Sequence, residues 1–166
     1  MEYLPTGKVT MKKIIDRFVS GGRVALVGVG RKEGNWGRAL MDELSKLGVE
    51  VFPVNPHADE IAGKRCYRSV AALPGNVKAA IISTRPDQAE TIAAECAGAG
   101  MERIWFQKGM GKGSATREAV ALARSRGLEV VYGVCPMMFF GKPGFHGFHF
   151  RMRKLFGGLP REWSQA

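Results

Sequence analysis

The sequence is poor in several things that would each point to a particular class of protein. It has three cysteines, Cys66, Cys96 and Cys135, and none of them stands in a CxxC spacing. That pattern fits reduced thiols in a cytoplasmic protein rather than a disulfide scaffold. Long apolar runs are missing. Residues 24–29 are typical of the longest, whereas a bilayer span needs ~20 apolar residues. The N-terminal MEYLPTGKVTMKK has no apolar h-region and does not read as a secretory signal. There is no run of five or more basic residues, no internal repeat, no low-complexity tract and no linker. One domain over residues 1–166 is therefore expected, with a basic, aromatic C-terminal extension at about 141–166.

What the chain does have is a core and a charge. Of 166 residues 45% are hydrophobic and 24% charged, which argues for a folded domain and against global disorder. Lys and Arg number 25 against 15 Asp and Glu, a formal charge of +10. Such a balance favours an anionic partner: nucleic acid, anionic lipid or a phosphorylated small molecule. The cations are scattered, with mild clusters at Lys12-Lys13, 64–68 and 151–154.

Strand and helix signals alternate. Residues 10–20 carry Ile14, Ile15, Phe18 and Val19 at helical spacing, and Gly21-Gly22 stops them. Apolar strands are expected at 23–29, 50–54, 78–83, 103–106 and 128–134. Helices are expected at 38–47, 87–99 and 114–126, closed by Gly48, Gly100 and Gly127. Short helical turns are expected around 59–62 and 69–73, and a terminal helix at 151–156. This alternation predicts an α/β protein of Rossmann-like type, three layers αβα around a parallel sheet of about five strands. The expected strand order is 3-2-1-4-5, with right-handed crossovers.

In such a sheet ligands bind outside the carboxyl ends of the strands, where the order reverses. The loops there are unusual. The first, GVGRKEGNWG, spaces Gly28, Gly30 and Gly34 so that backbone N–H groups can approach a phosphate at a helix N-terminus. Arg31, Lys32 and Arg38 add cations, and Trp36 follows. A tight turn with solvated charges is the plainer alternative. In the second loop, PVNPHAD, Asn55 and Pro56 stand where an NAD site places an acid, and Asp59 comes only later. The third, STRPDQ, offers Ser83 and Thr84 as hydrogen-bonding groups, Arg85, and Pro86 to pack on a base; capping by Thr84 or Asp87 is the rival reading. Gln107, Lys108 and Gly109 follow the fourth strand, and Cys135 ends the fifth.

Taken in order, VALVGVG at 24–30, VFPVNP at 51–56, ISTRP at 82–86, IWFQKG at 104–109 and GVCPMMFF at 133–140 resemble the CoA-binding domain family. This is the nucleotide-binding module at the start of the succinyl-CoA synthetase alpha subunit. The similarity is greatest to its small stand-alone bacterial and archaeal versions. The resemblance covers roughly residues 10–140. It implies that the Gly-rich loop wraps the diphosphate of coenzyme A or acyl-CoA. It also implies that Arg31 or Lys32 meets phosphate, that residues 83–86 hold the adenosine end, and that pantetheine runs toward Gln107–Gly109 and Cys135. Stand-alone relatives often carry Ser or Thr where Gly30 stands here, and the tail GFHGFHFRMRKLFGG is longer and more basic than in them.

No complete catalytic set is legible. The phosphohistidine of the synthetase reaction belongs to a further domain that this chain is too short to hold. His57, His146 and His149 are the histidines, and His146-x-x-His149 has no evident third metal ligand. Residues 137–140 fit core packing or a homodimer contact better than an acyl pocket, and Cys135 fits a small buried thiol better than a partner for a mixed disulfide. The leading expectation is a binding module without its own complete catalytic site. The rivals are an NAD(P)-dependent oxidoreductase, and binding of nucleic acid or an anionic surface through residues 151–166.

Overall fold

The computed structural model describes residues 11–109 and 111–141. Five strands form one parallel sheet: β1 (Arg23–Val27), β2 (Glu50–Val54), β5 (Ala79–Ile82), β6 (Arg103–Phe106) and β7 (Glu129–Val131). Alternate residues of each strand feed opposite cores, as a period of two requires. Val24, Leu26, Val51, Ala79, Ile81, Trp105 and Val131 face one side. Helices α1 (Met11–Ser20), α2 (Trp36–Lys46) and α5 (Met137–Phe140) cover it, through Phe18, Leu40, Leu44 and Phe140. Ala25, Val27, Val54, Ala80, Ile82, Ile104 and Phe106 face the other side, under α3 (Ala89–Gly98) and α4 (Arg117–Ser125). The three-layer αβα architecture expected from the alternation is present.

The strand order differs from the expected 3-2-1-4-5. It runs β2-β1-β5-β6-β7, so the third long strand pairs with β1 rather than lying outside β2. The physical reason is in the sequence. Pro53 sits inside β2 and has no N–H to give a second ladder, which suits an edge strand. By contrast β5 is four apolar residues, all buried, as a central strand demands. The outer edge of β2 is closed by a single extended segment: Tyr67 N donates to Pro53 O at 2.8 Å and Asn55 N to Tyr67 O at 2.9 Å.

The turn expected at 59–62 is instead a small hairpin, β3 (Glu60–Ile61) and β4 (Lys64–Arg65). Ala62 and Gly63 take φ of 53° and 72°, the double left-handed geometry of a two-residue hairpin loop. The turn expected at 69–73 is present as a 3-10 turn, Val70–Ala72. Two helices start later than expected: α3 follows a 3-10 turn at Pro86–Gln88, and α4 begins after Thr116, whose hydroxyl caps Ala119 N at 3.0 Å. The short α5 was not expected. The terminal helix at 151–156, His146 and His149 lie outside the described residues. Among the described residues no helix is long and apolar enough to cross a membrane.

Candidate functional site

The chain leaves β1 through α2 to β2 on one side, and the sheet continues through β5 on the other. The order therefore reverses between β1 and β5, and their carboxyl ends part there. A cleft of about 660 Å³ opens at that point. Val27, Val54, Val70 and Ile92 give it apolar surface, and Ser83, Thr84, Thr91 and Gln88 give it polar groups. Six of the expected site residues line it together: Gly28, Asn55, Pro56, Ser83, Thr84 and Arg85. Arg68, Asp87 and Glu95 complete its charged lining, and His57 adds an imidazole.

Gly28 is required by contact as well as by backbone. Its φ is +89°, and a Cβ there would lie 2.7 Å from Thr84 Cγ2 and 3.0 Å from Thr84 N. The β1 turn and the β5 turn thus meet at van der Waals distance, which seats Thr84 at the base of the cleft. Thr84 caps no helix: its Oγ1 is buried without a hydrogen-bond partner. A buried hydroxyl without a partner carries a desolvation cost of order 1–3 kcal/mol, which a polar ligand group can relieve.

Asn55 is held in place by two hydrogen bonds. Its Nδ2 donates to Val29 O at 2.9 Å and its Oδ1 accepts from His57 N at 2.8 Å. The Nδ2 end ties the second loop to the first and the Oδ1 end folds the second loop on itself, so Asn55 shapes the cleft wall while lining it. The first loop is held from inside by Asn35. This residue caps α2 by accepting from Gly37 N at 2.8 Å, and its Oδ1 also lies 3.4 Å from Gly30 N. Gly30 is small because of Asn35: a Cβ on it would be 2.7 Å from Asn35 Nδ2. Arg31 and Lys32 stand exposed at the loop tip, where Arg31 O accepts from Arg38 Nη1 at 3.1 Å. None of Gly30, Arg31 and Lys32 lines the cleft itself, nor does the half-buried Pro86.

The remaining expected residues form a second group along the same sheet edge. Cys135 is buried at 3% exposure, and its thiol lies against the Trp36 indole and the Gln107 amide. Burial raises its pKa; hydrogen-bonding contacts from Met137, Trp36 and Gln107 oppose the rise without overcoming it. The Trp36 contact is a weak one, because its Nε1 is buried without a partner of regular geometry. Gly109 packs beside Gln107, with its Cβ position 3.1 Å from Gln107 Nε2. Lys108 turns back on its own loop, donating to Gly111 O and Lys112 O at 3.3 Å each. Phe139 and Phe140 stack edge-on against Trp105 at 5.7 and 5.6 Å, so residues 137–140 contribute to the core.

Sequence reasoning missed Arg68, His57 and Glu95. Only Arg68 had a legible signal, a basic cluster at 64–68. Its place in the cleft depends on Tyr67 closing the sheet edge. Asp59, the acid that follows Asn55 and Pro56 in the second loop, pairs with Arg68 at 2.8 Å. Among the described residues no three His, Cys, Asp or Glu converge on a metal site.

Comparison with known proteins gives a consistent result. Residues 22–140 match the family described as CoA binding domain. An acetate–CoA ligase (ADP-forming) from Methanocaldococcus jannaschii is 32% identical over 79 residues, 48% of this chain. The chain spans 11% of that ligase's length. Two solved structures are similar over nearly their whole length. A conserved hypothetical protein from Pyrococcus furiosus is 34% identical, with TM-score 0.64, covering 70% of this chain and 97% of its own. A hypothetical protein from Pyrococcus horikoshii is 28% identical, with TM-score 0.70, covering 82% and 94%.

Proposed function

The chain belongs to the CoA-binding domain family, and from that premise we propose that it binds coenzyme A or an acyl-CoA at the carboxyl edge of its sheet, as a carrier, sensor or partner subunit without a complete catalytic site of its own. One observation supports the reading most. The cleft at the β1–β5 reversal has apolar walls, a glycine at its base whose Cβ would strike the opposite backbone, and a buried Thr84 hydroxyl without a protein partner.

These residues fit the group. In this reading the adenosine end sits among Ser83, Thr84, Val54 and Ile92. The diphosphate meets the Gly28–Asn35 loop and the N-terminal end of α2, where backbone N–H groups and the helix dipole favour negative charge. Arg31 and Lys32, exposed at the loop tip, add charge there. Pantetheine extends past Trp36 and Gln107 toward Cys135. Bound CoA supplies a thiol that carries acyl groups; this chain's own residues orient it and shield it from water.

Calorimetric titration of the full chain with CoA, acetyl-CoA, NAD and NADP tests this. CoA or acetyl-CoA is expected to bind well below millimolar and more tightly than either dinucleotide. Absence of CoA binding below roughly millimolar, a limit of about 4 kcal/mol, contradicts the reading. Tighter NADP binding with hydride transfer replaces it with the oxidoreductase.

A further inference from the structure

We infer that the outer face of α3 and α4 docks a second copy of this chain, with α3 of one copy lying on α4 of the other. Dimerisation there does not depend on what the cleft binds. A helix that covers one side of a sheet is ordinarily amphipathic, with charge toward water. Helix α3, AETIAAECAG, is not: Glu90, Thr91 and Glu95 are its only polar side chains. Ala89, Ile92, Ala93 and Cys96 face the core, and a step of ~100° per residue leaves Thr91, Ala94 and Gly98 outward. The crest of α4 is equally low. Ala119, Val120 and Ala123 are buried, while Ala121 and Ser125 stand exposed. The Ser125 hydroxyl donates to Leu122 O at 2.8 Å, so covering it leaves no donor unpaired.

Gly98 has no task within its own chain. It is the last residue of α3, where glycine is a poorer helix former than alanine. The left-handed closing turn falls to Gly100, at φ +70°. A Cβ on Gly98 would meet nothing within 4 Å among the described residues. A missing side chain on an open crest lets another helix approach, toward the short end of the usual spacing of about 8–10 Å between axes.

Charge fixes how the second copy sits. Glu95 projects on the cleft margin of the face, where it joins Thr91 and Ile92 in the lining. Arg124 projects on the opposite margin, over the ring of Tyr132 at 5.5 Å, just after the edge strand β7. Helices α3 and α4 run parallel, because each returns from one parallel strand to the next. A two-fold axis along them lays α3 on the partner's α4 and brings each Glu95 beside the partner's Arg124. Both residues lie in the C-terminal halves of their helices, so they meet at one level and the contact occurs twice. A two-fold axis across the helices would set acid margin on acid margin and base on base, which like-charge repulsion disfavours. Two helices of 10 and 9 residues make a small patch, so the dimer exchanges with monomer.

The test is sedimentation velocity of the full chain from about 1 μM to about 1 mM, the range of a weak association. The natural sequence is expected to pass from monomer to dimer within it. Gly98→Leu and Ala121→Glu change exposed positions, so each should weaken the dimer at least about tenfold and leave the unfolding of dilute protein unchanged. Glu95→Arg should weaken it as well, and adding Arg124→Glu to the same chain should recover most of that loss. A monomer at every concentration overturns the proposal and leaves nucleotide binding untouched. A dimer that Gly98→Leu and Ala121→Glu both retain at full strength also overturns it, because the copies then meet through another face. No recovery in the doubly reversed chain overturns the two-fold arrangement.

Discussion

Gly28→Ala probes the junction on which the cleft depends. The backbone there has φ +89°, and a residue with a Cβ pays about 1–2 kcal/mol to adopt left-handed geometry. The new methyl would also sit 3.0 Å from Thr84 N and 3.1 Å from the Ser83 carbonyl carbon. These are backbone atoms of the neighbouring central strand's turn and cannot rotate away. Overpacking of this kind adds about 1–3 kcal/mol. The expected total is about 2–5 kcal/mol. Gly34→Ala is the internal control: its φ is +74°, but nothing lies within 4 Å of its Cβ position, so it should lose only the conformational part. Urea unfolding followed by circular dichroism reads both. With a slope of about 1–3 kcal/mol per molar, Gly28→Ala should unfold at least about 0.3 M earlier than Gly34→Ala. Because the methyl pushes the 83–84 turn outward, any Gly28→Ala protein that remains folded should also bind CoA more weakly. Equal midpoints for the two variants would refute the contact argument.

Two further outcomes follow from the core and its thiols. Trp105 is fully buried, donates Nε1 to Val134 O at 3.1 Å and meets Phe18, Phe139 and Phe140 edge-on; Trp105→Ala should cost about 3–5 kcal/mol in chemical denaturation. Trp105→Phe should cost far less, because Val134 O keeps its bond from Lys108 N. Burial pushes the Cys96 thiol from its ordinary 9.0 up to about 12. The unfolded chain then loses its proton first, so stability is full below pH 9.0 and falls as pH rises toward about 12. Cys96→Ala should flatten that alkaline decline in denaturation midpoints measured at pH 8, 9.5 and 10.5, and an unchanged decline would contradict the assignment.

The αβα architecture was legible because apolar strands and amphipathic helices alternate with clear glycine stops. The strand order was misread although Pro53 carried the answer: a residue without an N–H belongs at an edge. The hairpin at 60–65 was hidden because Ala62, an unusual residue for positive φ, holds a turn position. For the site, the loops that end strands were the right places to look, and six expected residues share one cleft. What one-dimensional reading did not resolve was division of labour. Asn55 and Asn35 are committed to holding loops together, Lys108 is bound by its own loop, and Trp36, Gln107 and Cys135 gather separately. Arg68 enters only because Tyr67 pairs with β2, a tertiary event that no local pattern encodes.

A ligand at the carboxyl edge of the sheet must perturb the residues that line the cleft. Amide resonances of the ¹⁵N-labelled chain, followed as CoA is added, report this residue by residue. The prediction is saturable shifts at Gly28, Ser83, Thr84 and Thr91, with Gly22 and Gly127 at the far end of the sheet unmoved. Shifts centred on that far end, or none at millimolar CoA, would contradict it.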